Sequence, residues 1–418
     1  MRWVDPEAVA VALARRHSRM FWLDGAGARE WSGRRSVVGW LEESERSIEH
    51  TVTAPTSTDA FAAVQTALGA AAPHERLVGW FGYAARPDLP ARRDPVDSTG
   101  AVPDSCWLQA KRYLVFDLAR RIVTPIGFDT EPELPIDPVD EPTTPGRSRV
   151  VRTWTEDDYA PAFAEVQRQL RLGNTYEVNL TYRHVVASDD APIDVYRRLR
   201  RLNPAPYTAY VQHEGVAVLS SSPERFCRLE GPAIETRPIK GTLPRGDDPV
   251  ADAEHAQRLR RDPKLRAENL IVTDLLRNDL SIVCRPGTVE VPELMRVESY
   301  ENVHQLVTTV HGRLREGVGP VEAVRALMPG GSMTGAPKLR TMQVIADVED
   351  SPRGVYSGVL GWLGPHAADL GMVIRTLVYD GEHYTAGTGG GVTVRSDLAD
   401  EYAESRLKLD RVLAALGD

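Results

Sequence analysis

The chain has no excess of positive charge. Its 50 lysines and arginines stand against 59 aspartates and glutamates, a formal net charge of -9 across 418 residues. A surface that tracks phosphates needs a basic excess, so no nucleic-acid partner is expected. Arginines are numerous, yet they alternate with Asp and Glu and form no basic stripe. Cysteine is scarce as well. Cys106, Cys227 and Cys284 lie far apart and make no CxxC pair, which excludes a disulfide framework and suits a reducing compartment. No apolar run approaches the roughly 20 residues that span a bilayer. The opening stretch MRWVDPEAVAVALARR is too polar and interrupted for a signal peptide. These absences predict a cytoplasmic protein with no membrane partner, and a small-molecule enzyme is the natural expectation.

The length admits about two or three domains. One boundary stands out at TEPELPIDPVDEPTTPG (130–146), where five prolines sit among acidic residues and threonines. Such a stretch offers little to bury and few N–H groups for a ladder. It divides the sequence into an N-terminal part (1–130), a proline-rich acidic linker (131–148) and a larger C-terminal part (149–418). After it, Thr155 and Asp158 form a capping-box pattern, and Tyr159, Phe163, Val166 and Leu170 recur at helical spacing. TYEVNLTYR alternates strictly, with Glu177, Asn179, Thr181 and Arg183 as its polar row. That row could face water or line a polar cavity. GVAVLSSSPERFCRLEG reads as two short strands around a turn at Ser222, Pro223 and Glu224. PKLRAENLIVTDLLRND reads as a helix opened by Pro263, with Glu268 on the face of Val272 and Leu275. GAPKLRTMQVIADVED reads as another proline-initiated helix. GMVIRTLVYDGEHYTAGTGGG reads as a hairpin running into a glycine loop, and a closing helix is capped by Ser396 or Asp397. Strands and helices in no regular βαβ order predict an α+β fold.

Taken singly, the polar motifs are ambiguous. GTGGGV is not a GxGxxG fingerprint and PGGSMTGAPK is not a phosphate-binding P-loop, although either could offer backbone N–H groups to a carboxylate. Glu401, Glu404 and Lys408 share a stripe of the closing helix. They could form a solvated face with an ion pair worth about 0.3–0.5 kcal/mol. They could instead supply two carboxylates to a hard cation, with Glu268 as a third. Lys240, in ETRPIKGTLPRG (235–246), could be an ordinary surface cation or a reacting group.

The order of the blocks is more specific. SSSPERF, TRPIKGTLPRG, AENLIVTDLLRNDL, VHQLVTTVHGRL, PGGSMTGAPKLRTM, YSGVLGWL and GTGGGVTVRSDLADEYAESRLK together resemble the chorismate-utilising enzymes. The likeness runs from about residue 159 to 409, and VGWFGYAARPDL resembles the family's N-terminal part less distinctively. It implies an anthranilate-synthase-like fold, in which large antiparallel sheets form a sandwich surrounded by helices. It also implies Mg²⁺ held by Glu268 and Glu404, with Glu401 assisting through water, and gripping the ring carboxylate of chorismate. Glu224 matches the general acid that protonates the departing hydroxyl. Tyr356 and Arg375 match residues that bind the enolpyruvyl carboxylate. Lys408 and the glycine loop with Gly389, Gly390 and Gly391 complete the anion pocket. Gly241 and Thr242 follow Lys240 in it, and His304 and Thr334 match further pocket positions.

Two positions sort the family. Water-adding members carry a lysine base where this chain has Glu177, and many amine-adding members carry glutamine. Glu177 departs from both and could orient ammonia. At Lys240, anthranilate synthases have a small residue, whereas lysine marks the aminodeoxychorismate synthases. The resemblance therefore implies a covalent role. A lysine desolvated enough to be neutral attacks ring carbon 2 and expels the carbon 4 hydroxyl, and ammonia then attacks carbon 4. The product would serve p-aminobenzoate synthesis for folate or for an antibiotic. The alternatives are an anthranilate or aminodeoxyisochorismate synthase carrying this lysine, or an inactive regulatory homologue. None of the cysteines sits in a glycine-flanked nucleophile elbow, so ammonia is expected from a separate glutamine amidotransferase subunit.

Overall fold

The computed structural model describes all residues except 26–33, 53–58, 94–101, 137–139, 301–302 and 418. Its strands form two antiparallel sheets, one of eleven strands and one of ten. Period-2 alternation builds the layers. In the strand Arg19–Asp24, Met20 and Trp22 pack against the helices, while Phe21 points between the sheets. In Arg76–Phe81 of the second sheet, Leu77 and Phe81 face helices, and Val78 and Trp80 meet Phe21's cluster. At these two strands each sheet is apolar on both faces, and helices close the outer ones. This is the expected sandwich.

The sheets do not follow the division of the sequence. The strand Arg19–Asp24 pairs with Tyr207–His213 in the first sheet, and Arg76–Phe81 pairs with Val359–Gly364 in the second. Strands from before and after the proline-rich stretch therefore continue the same two sheets. Among the described residues, no helix is long and apolar enough to cross a membrane.

Most local expectations hold. Thr155 and Asp158 make a reciprocal capping box on the helix Glu156–Arg171. The helix Pro263–Val283 buries Glu268 beside Val272 and Leu275. Thr376–Tyr379 and His383–Val392 form the hairpin, and Asp397 caps the closing helix Leu398–Leu413. One expectation changes. Residues 387–391 form no loop but lie inside the strand His383–Val392, paired residue by residue with Glu177–Ser188. Val216–Ser222 and Arg225–Glu230 are the two short strands expected around Ser222, Pro223 and Glu224, and they belong to different sheets. The chain crosses the sandwich between them, at Pro223 and Glu224.

Candidate active site

That crossing opens into a cavity of about 290 Å³. Glu224 enters it from the crossover, buried, and accepts a 2.7 Å hydrogen bond from Ser332 Oγ. Lys240 enters from the strand Ile239–Pro244, at the edge of the second sheet. Ile239 pairs with Val307 but Thr242 pairs with Gln305, so one extra residue is bulged out between them. Gly241 takes up the bulge at φ +94, a conformation open to glycine. The bulge turns the ammonium inward rather than along the sheet face. Nζ meets Glu177 Oε1 at 2.5 Å. Glu177 belongs to the polar row of its strand, and Glu177, Asn179, Thr181 and Arg183 are all buried, which resolves the choice between water and interior.

The glycines supply room rather than a nest of N–H groups. A Cβ at Gly387 would overlap the Tyr356 ring, and one at Gly391 would press on Glu177 and stand 2.8 Å from Lys240 Nζ. At Gly390 it would come 3.1 Å from Glu401 Oε2, and Gly389 contributes a carbonyl that accepts from Lys408 Nζ at 3.0 Å.

The far wall is carboxylate-rich. Glu268 comes from one helix and Glu401 and Glu404 from the closing helix. Lys264 Nζ stands 3.0 Å from Glu401 and 4.0 Å from Glu268, and Lys408 Nζ lies 2.7 Å from Glu404. Ser396 Oγ also donates to Glu401, at 2.6 Å. Among the described residues no three acidic, histidine or cysteine groups converge at metal-holding distance. The all-oxygen donor chemistry nonetheless suits a hard cation, and Lys264 places a positive charge between two of the carboxylates. Lys264 occupies the place between Glu401 and Glu268 that a divalent cation would take.

Electrostatics separates the groups. Burial pushes the Glu224 carboxyl up to about 7, against the opposing pull of Ser332 and Lys240. Burial likewise raises Glu268 to about 7, with Lys240 opposing and Glu177 adding to the shift. Lys408 holds Glu404 below the usual carboxylate range. Burial alone would lower Lys240, but Glu177 and Glu268 outweigh it and hold the group above the ordinary lysine value. The resemblance implied a neutral Lys240, whereas these carboxylates favour its charged form in the free protein. Burial and Arg411 bring Arg375 down to about 10. Arg375 holds φ +52, a left-handed conformation rarely adopted by a side chain of this size.

Glu224, Lys240, Gly241, Thr242, Glu268, Tyr356, Arg375, Gly389, Gly390, Gly391, Glu401, Glu404 and Lys408 all line this one cavity. Three expected members do not, the first being Glu177, which meets Lys240 Nζ without lining the cavity. His304 binds Ser299 Oγ at 2.8 Å and Asp252 at 2.9 Å, because strand alternation gives the cavity its neighbours Val303 and Gln305 instead. Thr334 is turned to the Gly330 and Gly331 carbonyls. Sequence reasoning missed Ser332, Lys264 and Arg411. Lys264 and Arg411 were within reach, standing at i−4 from Glu268 and i+3 from Lys408 on helices already marked. Ser332 lies in a conspicuous glycine-rich block but has no spacing signal. Behind Ser332, buried Arg353 donates to the Met333 and Asn179 carbonyls at 2.6 and 2.7 Å and pairs with Glu349, fixing the cavity floor.

A cavity that holds a buried carboxyl and a lysine, set in a two-sheet sandwich, defines a class that comparison identifies. The chorismate binding enzyme family matches residues 18–414, and the chain belongs to it. It is 42% identical over 364 residues to the aminodeoxychorismate synthase of Streptomyces pristinaespiralis, covering 81% of this chain but 50% of that one. The chain thus spans about half the length of that relative. It is 38% identical over 360 residues to aminodeoxychorismate synthase component 1 of Klebsiella aerogenes, covering 82% and 79%. It is 34% identical over 379 residues to anthranilate synthase component 1 of Streptomyces coelicolor, covering 82% and 73%. The fold is shared with the solved anthranilate synthase component I of Streptococcus pneumoniae, at TM-score 0.76 and 21% identity over 91% of this chain and 92% of that one.

Proposed function

We propose that this chain is the synthase component of an aminodeoxychorismate synthase, aminating chorismate at ring carbon 4 with ammonia. The observation that carries the reading is Lys240 Nζ, presented by a bulge into the same cavity as Glu224, whose carboxyl stands near 7. Loss of hydroxide from carbon 4 needs a proton, and a carboxyl titrating near 7 can carry one at neutral pH. Lys240 supplies a nucleophile for carbon 2, which sets the position at which ammonia later enters. Arg375 and Tyr356 would take the enolpyruvyl carboxylate, and Arg411 adds a second guanidinium to that wall. Glu268 and Glu404, with Glu401, would hold Mg²⁺, which draws charge out through the ring carboxylate. Ammonia would come from a glutamine amidotransferase partner, in keeping with the name component 1 carried by relatives such as that of Klebsiella aerogenes.

Anthranilate synthase is the second reading, supported by the Streptomyces coelicolor relative. Mass spectrometry of products from chorismate, Mg²⁺ and ammonium separates the two. An aminated product that keeps its enolpyruvyl group, without pyruvate, is expected. Pyruvate and anthranilate in equal amounts would assign the chain to the second reading. Glutamine in place of ammonium should give no product from the purified chain.

A further inference from the structure

We propose that Glu177 takes the proton from Lys240 to free its amine for attack, and keeps that proton while Lys240 is bonded to substrate. This rests on the nucleophile reading of Lys240 given above. An ammonium has no lone pair, so the charged Lys240 of the free protein must first lose a proton. Three carboxyls bear on Nζ: Glu177, Glu268 and Glu224. Glu224 is bonded to Ser332 and is needed at the leaving hydroxyl, and Glu268 lies on the carboxylate wall beside Lys264. Glu177 is the one in hydrogen-bond contact, at 2.5 Å. Its side chain is 1% exposed and that of Lys240 is 11% exposed, so little water competes for the proton. Among the described residues, Glu177 Oε2 is buried without a hydrogen-bond partner. The anion therefore lacks the second donor that would favour it. A buried ion pair and a buried neutral pair come closer in free energy as water is excluded. Gly391 keeps the pair in contact, since a side chain there would part it.

The steps balance. The proton passes from Nζ to Glu177, leaving a neutral amine and a carboxylic acid. The amine bonds to carbon 2, the ring double bonds shift, and the carbon 4–oxygen bond breaks. The hydroxyl leaves as water with the Glu224 proton, and the lysine nitrogen becomes a secondary ammonium. Ammonia bonds to carbon 4, the double bonds shift back, and Lys240 departs as a neutral amine. Glu177 then returns its proton, and Glu224 regains one from solvent.

The test is rapid-quench intact-protein mass spectrometry with chorismate and Mg²⁺ but no ammonia, on the wild type, Glu177→Gln and Glu177→Asp. The wild type should accumulate an adduct of chorismate minus water. Glu177→Gln should form it about 100-fold more slowly at neutral pH, with a rate that climbs with pH below about 7, where Glu224 is still loaded, as solvent base takes over. Glu177→Asp keeps a carboxylate but withdraws it by one methylene, and should fall between the two. A purely electrostatic Glu177 gives the opposite sign, because removing its charge eases deprotonation of Lys240. An adduct forming in Glu177→Gln as fast as in the wild type, or faster, overturns the inference and leaves the nucleophile reading standing. Should Glu177→Gln fail to fold, an adduct rate in Glu177→Asp above that of the wild type overturns it equally, because withdrawing a purely electrostatic charge eases deprotonation of Lys240. No adduct in the wild type, with product still formed by Lys240→Ala, overturns both readings.

Discussion

The two ends of the cavity use the same residue types in opposite states. At one end Lys240, Glu177 and Glu224 are buried, and burial raises Glu224 to about 7. At the other end Lys264, Glu404 and Lys408 are partly open to solvent, and Lys408 keeps Glu404 ionised. A carboxyl that must give up a proton at neutral pH has to be held where its charge is costly. One that must grip a cation has to stay charged and remain reachable. Glu268, raised to about 7 yet on the carboxylate wall, sits at the join and is sensitive to both. Under the proposed roles, Glu404 is the open member of the cation end, while Glu401 and Glu268 are buried like Glu224.

The largest effect should come from Lys240→Ala. Adduct and aminodeoxychorismate should be lost by about 10³-fold or more, while chorismate still binds at the arginine wall, as equilibrium binding would show. Next comes Glu224→Gln, slowing adduct formation by about 10²–10⁴-fold. The sign of its pH dependence follows from the raised carboxyl. The acid is loaded below about 7, so the wild-type rate without ammonia should fall as pH rises through that value, and the variant should lack this limb. At the other end, chelator should abolish turnover and Mg²⁺ restore it, whereas full activity in excess chelator would remove the cation from the account. The smallest effect belongs to Lys264→Met. With the competing ammonium gone, the Mg²⁺ concentration giving half-maximal rate should drop by about fivefold or less, the scale of a partly exposed ion pair. A rise instead would make Lys264 a substrate contact and blur the two ends.

Much of this was legible in the chain, for identifiable reasons. Helix ends carry local chemistry, so Thr155, Asp158 and Pro263 marked theirs. The ordered blocks marked most of the cavity wall. Strand partners were not legible, because pairing is decided by residues far apart in sequence. Nothing local says that Val216–Ser222 and Arg225–Glu230 part company into two sheets, or that the glycine run is a strand whose emptiness accommodates Tyr356 and Glu177. His304 was misplaced by a single step of alternation, the smallest error a strand allows and one that reverses the side chain. The pull of Glu177 on Lys240 was not legible either, because the two residues lie far apart in sequence and only the fold brings them together.

The way strands of residues 1–130 and 149–418 share both sheets has a practical corollary. Each sheet is stitched across that division at one seam, Arg19–Asp24 on Tyr207–His213 and Arg76–Phe81 on Val359–Gly364. Cutting the polypeptide in the proline-rich stretch would break no strand pairing at either seam, so a nicked protein should stay associated and migrate as one particle. Either fragment produced alone would expose two raw, apolar sheet edges, the kind that recruit foreign strands. Co-produced halves should reassemble, and each alone should precipitate.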